Sequence, residues 1–393
     1  EKIEKQADLA KQLGIELFVL DDGWFRSGND SRSSMGDWVC NEKKLPGGIN
    51  TAADLIRGKG LQFGLWFEPE AVSENSDLYR KHPGWALQVP GYQTVKGRHE
   101  FLLDLSIKEV RDYLFDKLSF YLDDGKVDYV KWDMNRPLTD VNSFMLAREE
   151  KGEISHRYVL GLYELLERIT KKYPEVLIEG CSSGGARFDP GMLYYVPQNW
   201  TSDNTDAYDR AMIQKGYSLL YPQITMGAHV SIVPNHQTGR STSLHSRYQV
   251  ARLFNLGYEL DLTKCSENER KEIALQIKEY KEQRKWIHSG HLNYCEVPNE
   301  NYLAWSVNSK EAEKSILIIM QKLFDPRYSH GRIRMSGLNP EWDYKEHTTG
   351  KVYSGDELME AGVSVPLIKE DFYTFSMYFS KIEDEEDDKD NCQ

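Results

Sequence analysis

The chain is 393 residues long, 40% hydrophobic and 12% aromatic, with a formal net charge of -13. That length can bury a sizeable core and suits one large domain with a smaller one, while the negative balance argues against a nucleic-acid partner. No apolar run is long enough to span a bilayer, so no membrane association is expected. Five cysteines without a CxxC pair or a close-spaced framework fit a reducing, cytoplasmic compartment better than a disulfide scaffold.

The first residue is Glu1 and 2–13 already reads as a helix, so upstream sequence is expected. Seven apolar or aromatic runs follow, each ending in polar residues: ELFVLDDGW (16–24), LQFGLWFEPE (61–70), VDYVKWDMN (127–135), EVLIEGCSSGG (175–185), PQNWTSDN (197–204), QITMGAHVS (223–231) and NLGYELDL (255–262). Amphipathic stretches at 107–122, 157–173, 206–220 and 243–254 lie between many of them. Strand and helix alternating in one long domain predict a parallel sheet. Polar residues gathered at the C-terminal ends of the strands predict an α/β fold of the TIM-type (β/α)8 barrel over 1–290, lacking its N-terminal strand. An open doubly wound sheet competes, but no GxGxxG or Walker-type loop follows any run.

The stretch 181–200 is too short for a full helix and must be a loop or a short helical turn. SENE at 266–269 has the spacing of a capping box and opens a charged helix to about residue 287. Past a boundary near 288–292, NYLAWSVNS, KSILIIMQKL, GRIRMSGL and DFYTFSMYFS predict a small antiparallel β-sandwich domain over 291–381. The last stretch, 382–393, holds seven acids against one lysine and reads as a solvated acidic tail.

Side chains alternate faces along a strand, so Lys131, Asp133 and Asn135 share one side while Trp132 and Met134 take the other. Taken alone, the lysine and aspartate read as a structural ion pair. In a barrel, however, the strand ends converge on one mouth, which adds Asp21, Asp22, Trp66, Glu68, Glu70, Cys181, Ser182, Ser183, Trp200, Asp203, Asp206 and His229. This mouth is rich in carboxylates and poor in histidines. No HxH or HExxH supplies metal ligands, CSSGG is not a GxSxG elbow, and His229 and His236 read as hydrogen-bonded structural residues.

Two carboxylates with aromatic neighbours suit glycoside hydrolysis, in which one attacks the anomeric carbon and the other protonates the leaving oxygen. Asp133, with a lysine on its face to favour the charged form, reads as the nucleophile; Asp203, desolvated by Trp200, reads as the acid. Glu68 and Glu70 stay open as rivals, with Pro69 between them suggesting a structural turn.

The motifs LFVLDDGWF (17–25), GDW (36–38), FGLWFEPE (63–70), GR (97–98), DYVKWDMNR (128–136), CSSGGARFDPGMLYY (181–195), WTSDNTDA (200–207) and PNHQTGR (234–240) resemble, in that order, those of the bacterial α-galactosidases of glycoside hydrolase family 36. The resemblance implies that Asp133 is the nucleophile and Asp203 the general acid/base. It also implies that Asp21 and Asp22 grip the far hydroxyls of galactose, and that Trp66, Arg98, Lys131, Asn135, Cys181 and Trp200 line the galactose pocket. The implied activity is exo-acting hydrolysis of terminal α-galactosides of the melibiose and raffinose type, with retention by double displacement and without metal or cofactor. Similar proteins carry an N-terminal β-sandwich region and form tetramers, so a homo-oligomer is expected when that region is present. The alternatives are a galactosyl transferase of the raffinose-synthase type, a hydrolase for α-N-acetylgalactosamine, and a non-catalytic galactoside-binding protein.

Overall fold

A computed structural model of the protein describes residues 1–25, 33–326 and 331–383, and the acidic stretch from 384 onward lies outside them. The chain divides into two compact units, Glu1–Asp203 with Asp261–Ala274, and Asn204–Leu260 with Leu275–Gln393.

In the first unit, five parallel strands lie side by side in the order β1 (Leu17–Leu20), β2 (Gln62–Phe67), β3 (Tyr129–Trp132), β4 (Leu177–Gly180) and β5 (Gln198–Trp200). Helices α1 (Lys2–Leu13), α2 (Gly48–Arg57), α3 (Lys108–Leu122), α4 (Ile154–Lys172) and α5 (Pro190–Tyr195) alternate with them. Their apolar residues recur at helical spacing. In α4, Tyr158, Leu162, Leu165, Leu166 and Ile169 form the buried stripe. The short segment before β5 holds only the six-residue α5, opened by Pro190 at its first position and by Asp189, whose carboxylate accepts from the backbone of Gly191 and Met192.

Strand register decides which side chains meet. Trp66 pairs with Lys131, and Lys131 with Glu179, so these three share one face; Asp21, the residue after the Leu20–Leu65 pair, joins the same row. One pleat further along, Glu68, Asp133 and Cys181 form the next row. The ladder extends far enough to hold it, since the Asp133 amide donates to the Phe67 carbonyl and the Cys181 amide to the Trp132 carbonyl, each at 2.8 Å. Trp132 points the other way.

In the second unit, β6 (Met226–Ser231) and β7 (Asn255–Glu259) run parallel, with α6 (Ala207–Ser218) and α7 (Leu244–Ala251) in the same unit. Helix α8 (Glu267–Ser289) opens with the predicted capping box: the Ser266 amide donates to the Glu269 carboxylate at 2.8 Å and the Glu269 amide to the Ser266 hydroxyl at 3.2 Å.

An antiparallel sheet follows, in the order β8 (His291–Tyr294), β9 (Tyr302–Asn308), β10 (Lys314–Gln321), β15 (Tyr373–Lys381), β12 (Asp343–Glu346) and β13 (Val352–Ser354). Leu317, Ile319 and Phe379 of this sheet pack in one cluster with Ile333, Leu358 and Val363, which joins the sheet to the two-stranded ribbon of β11 (Arg332–Ile333) and β14 (Val363–Ser364). Of GRIRMSGL only Arg332 and Ile333 form strand, paired with Ser364 and Val363. Among the described residues, Cys40, Cys181 and Cys295 are free thiols. Among the described residues, no helix is long and apolar enough to cross a membrane.

Candidate active site

Asp133 sits just past the end of β3 and is 6% exposed. Its Oδ2 accepts from the Asn135 amide at 2.7 Å and from the Trp66 indole N–H at 3.3 Å, and its Oδ1 accepts from the Met134 backbone at 2.8 Å. Cys181, its neighbour in register, has its thiol pushed well up, first by burial and then by the Asp133 charge, so the side chain is a neutral thiol.

Lys131 turns to a different partner. Its ammonium lies 2.8 Å from Asp21 Oδ2 and 6.0 Å from the centre of the Trp200 ring. Burial alone would lower its pKa, but the Asp21 and Glu179 carboxylates outweigh burial and hold it firmly cationic. The expected Lys131–Asp133 partnership is thus replaced by a Lys131–Asp21 pair. Asp21 also accepts from the Asp22 amide at 2.7 Å, and Asp22 faces the Arg98 guanidinium at 3.5 Å.

Arg98 and His99 both adopt positive φ, 50° and 68°, an uncommon backbone for consecutive residues with side chains. Strained turns of this kind cluster where a side chain must be aimed. Here the turn aims Arg98 at Asp22. Behind it, Gly97 packs so closely that a Cβ would lie 3.1 Å from the Asn135 carbonyl oxygen.

Trp66 and Trp200 are only 1% and 3% exposed, so neither offers an open ring face. Each presents its N–H edge to a carboxylate instead: Trp66 to Asp133, and Trp200 to Asp203 Oδ1 at 3.0 Å. Trp24 holds Trp66 from behind, donating its indole N–H to the Trp66 carbonyl at 2.9 Å. Asp203 itself is exposed. The turn at 182–185 packs against it, with Gly184 at φ +90° and its Cα face so close that a Cβ would meet the Ser202 Cα at 2.7 Å. The ten residues that the family resemblance assigned to the site, Asp21, Asp22, Trp66, Arg98, Lys131, Asp133, Asn135, Cys181, Trp200 and Asp203, therefore belong to one contiguous set of contacts in the first unit, while Asp206 and His229 of the expected mouth fall in the second.

The two rivals separate cleanly. Glu70 is fully buried and accepts from both Arg187 nitrogens, at 2.7 and 2.9 Å, from the Trp132 indole at 2.8 Å and from the Tyr158 hydroxyl. Burial would raise its pKa, but Arg187 and these donors hold it below the usual range, and no acceptor direction is left for a substrate. Glu68 is equally buried but faces the site through Asn135, whose backbone and side-chain nitrogens it accepts at 2.5 and 2.9 Å.

Glu179 was not singled out from the sequence, though alternation along VLIEG puts it in the row of Lys131; it accepts from Gln198 at 2.5 Å. His229 pairs with Glu259 at 3.5 Å within the second unit. Among the described residues, no group of three or more His, Cys, Asp or Glu side chains is arranged to hold a metal ion.

The Melibiase family model matches residues 1–290, and the model of the glycosyl hydrolase family 36 C-terminal domain matches residues 302–379. The chain belongs to glycoside hydrolase family 36. Alpha-galactosidase AgaA of Geobacillus stearothermophilus is 48% identical over 373 residues, covering 95% of this chain and 51% of the relative. Alpha-galactosidase Mel36A of Lactobacillus acidophilus is 43% identical over 382 residues, covering 97% of this chain and 52% of the relative. The crystal structure of an AgaA variant in complex with raffinose superimposes with a TM-score of 0.94 at 45% identity, covering 97% of this chain and 53% of that one. This family 36 chain therefore has the barrel-type β/α fold with a C-terminal antiparallel sheet domain, and it spans about half the length of the curated relatives it matches.

Proposed function

We propose that this chain is the catalytic part of an exo-acting, retaining α-galactosidase that releases terminal galactose from melibiose- and raffinose-type oligosaccharides. The observation that carries the reading is the setting of Asp133, a nearly buried carboxylate whose Oδ2 is held by two side-chain N–H donors. It lies beside a row of charged groups, Lys131, Asp21, Asp22 and Arg98, suited to gripping sugar hydroxyls. Membership of family 36 and the raffinose bound to the AgaA variant support the substrate class.

On this reading an Asp133 oxygen forms a bond to the anomeric carbon while the glycosidic oxygen departs with a proton from Asp203. Water then attacks the glycosyl-enzyme, gives its proton to Asp203, and releases galactose with its anomeric configuration retained. Two carboxyl groups working this way stand about 5–5.5 Å apart in retaining enzymes. Trp66 and Asn135 pin Oδ2, while Oδ1 takes the Met134 backbone amide, which favours Oδ1 as the attacking atom.

We read 1–290 as the catalytic barrel, 291–381 as its accessory β domain and 382–393 as an acidic tail. The free thiols support a cytoplasmic setting, and the family resemblance supports a homo-oligomer.

The test is to incubate the chain with a galacto-configured, mechanism-based covalent inactivator and map the label by peptide mass spectrometry. Label on Asp133 supports sugar, mechanism and nucleophile together. A chain that binds galactose and takes no label, or takes it elsewhere, counts against the reading. Product analysis at high acceptor concentration separates hydrolysis from galactosyl transfer.

A further inference from the structure

Asp133 owes its best hydrogen bond to Asn135, so whatever orients Asn135 orients the candidate nucleophile. Asn135 lies beyond the end of β3, where no sheet ladder constrains it. Its side-chain nitrogen has two hydrogens and two carboxylate partners, Asp133 Oδ2 at 2.7 Å and Glu68 Oε2 at 2.9 Å. Its carbonyl oxygen accepts from the Ser183 hydroxyl at 3.0 Å, which fixes the amide with nitrogen toward the carboxylates. The other Glu68 oxygen takes the Asn135 backbone N–H at 2.5 Å. Glu68 therefore holds Asn135 at two points, one on the main chain and one on the side chain.

We propose that Glu68 is a positioning residue for the site: its bidentate grip on Asn135 directs the remaining amide hydrogen of Asn135 onto Oδ2 of Asp133. The inference rests on Asp133 being the nucleophile. Glu68 makes no use of a substrate; it is fully buried and acts through Asn135.

The local charges give the grip a pH dependence. The charged groups that face Glu68 are Asp133 at the end of β3 and Arg98 from the 97–99 turn, with Asp22 and Glu100 also acting on Arg98. Burial and the Asp133 charge push the Glu68 carboxyl up to about 7, against the pull of the two Asn135 donors and of Arg98. An ionised acceptor binds an N–H about twice as strongly as a neutral one. The grip on Asn135 thus tightens as the pH rises through neutrality.

Glu68→Gln keeps the volume but carries one carbonyl oxygen and one NH2, so in either orientation one Asn135 donor meets another donor. Glu68→Asp keeps both acceptor oxygens on a shorter arm. In the full chain, with an aryl α-galactoside, Glu68→Gln is expected to lower kcat about ten- to a hundredfold with little change in KM. It should also erase the rise in kcat near neutral pH that the proposal expects of the wild type, and Glu68→Asp should recover part of the loss and retain that rise. Wild-type kcat in Glu68→Gln, or a neutral limb that survives in it, overturns the proposal.

A crystal structure of Glu68→Gln supplies the arm that needs no turnover: the proposal requires the Asn135 amide to leave Asp133, and an amide still in place overturns it. If Glu68→Gln does not fold, the pH profile of Glu68→Asp decides in its stead, a limb unchanged in both position and amplitude being the overturning result. Wild-type protein without any galactosidase turnover defeats the reading of the site instead, while the crystallographic arm still decides whether Glu68 holds Asn135.

Discussion

The ammonium of Lys131 lies 2.8 Å from the Oδ2 of Asp21, across the sheet from the strand that carries it. Lys131 is largely buried while the Asp21 side chain is 59% exposed, so the lysine anchors an acid whose other face is open to a ligand. Replacing Lys131 with methionine removes the charge and keeps the length. Because Asp21 is more than half solvated, the loss is screened, and kcat/KM for melibiose should fall by about tenfold. Steady-state kinetics on that sugar checks it, and an unchanged kcat/KM would show that Asp21 needs no anchor.

The two candidate catalytic aspartates predict different kinetic signatures. Asp133→Ala removes the atom proposed to bond to carbon, so turnover should vanish with natural and activated galactosides alike. Asp203→Ala should reduce hydrolysis of raffinose by roughly 10²–10⁴-fold, the usual contribution of a positioned proton donor. It should spare the first step with a galactoside whose leaving group needs no proton. Stopped-flow release of such a leaving group measures that step directly, and equal losses on both substrates would sink the acid/base assignment.

Glu70 and Arg187 predict a reversal in the pH dependence of stability. Glu70 is held below its ordinary value of 4.5, so in wild type its contribution is present above that value and is lost as the pH falls through the lower folded-state pKa. Arg187→Met leaves a buried anion without its cation, a change that costs about 3–5 kcal/mol. Burial, no longer opposed by Arg187, then pushes Glu70 up, and the variant should be least stable at neutral pH and recover on mild acidification. Thermal unfolding across a pH series reads this, and a Tm at neutral pH equal to wild type would refute it.

Much of this was legible in the sequence because it depends on local spacing. Period-two alternation along VKWDMN separates Lys131, Asp133 and Asn135 from Trp132 and Met134, and the structure keeps that separation. The Ser266–Glu269 cap is written within four residues and forms as read. What could not be read is pairing across strands. Lys131 finds Asp21 because β1, β2 and β3 lie in that order with Trp66 between them in register, a fact no single run contains.

Burial was equally hidden. Glu68 and Glu70 look alike on either side of Pro69, yet one braces Asn135 and the other is closed off by Arg187, Trp132 and Tyr158. The sequence placed Trp66 and Trp200 along the pocket without saying how they face it, and the structure turns their N–H edges onto the carboxylates. The compact units, too, cut across the change from barrel to β texture, because compactness is a property of contacts and not of composition.

Gly184 offers the last test, linking a backbone requirement to one chemical step. Its φ of +90° is costly for any residue with a Cβ, and a Cβ there would lie 2.7 Å from the Ser202 Cα and 3.2 Å from the Asp203 amide nitrogen. Gly184→Ala should therefore cost about 1–3 kcal/mol of stability and displace the segment that carries Asp203. Ser183 of the same turn reaches Asn135, but Asp133 is also held from β2 by the Trp66 indole, away from that contact, so attack on carbon should survive better than proton delivery. The variant should lose more activity on raffinose than on a galactoside with a good leaving group, in the manner of Asp203→Ala but less severely. An equal loss on both substrates in a folded variant would mean that the 182–185 turn supports Asp133 as much as it supports Asp203.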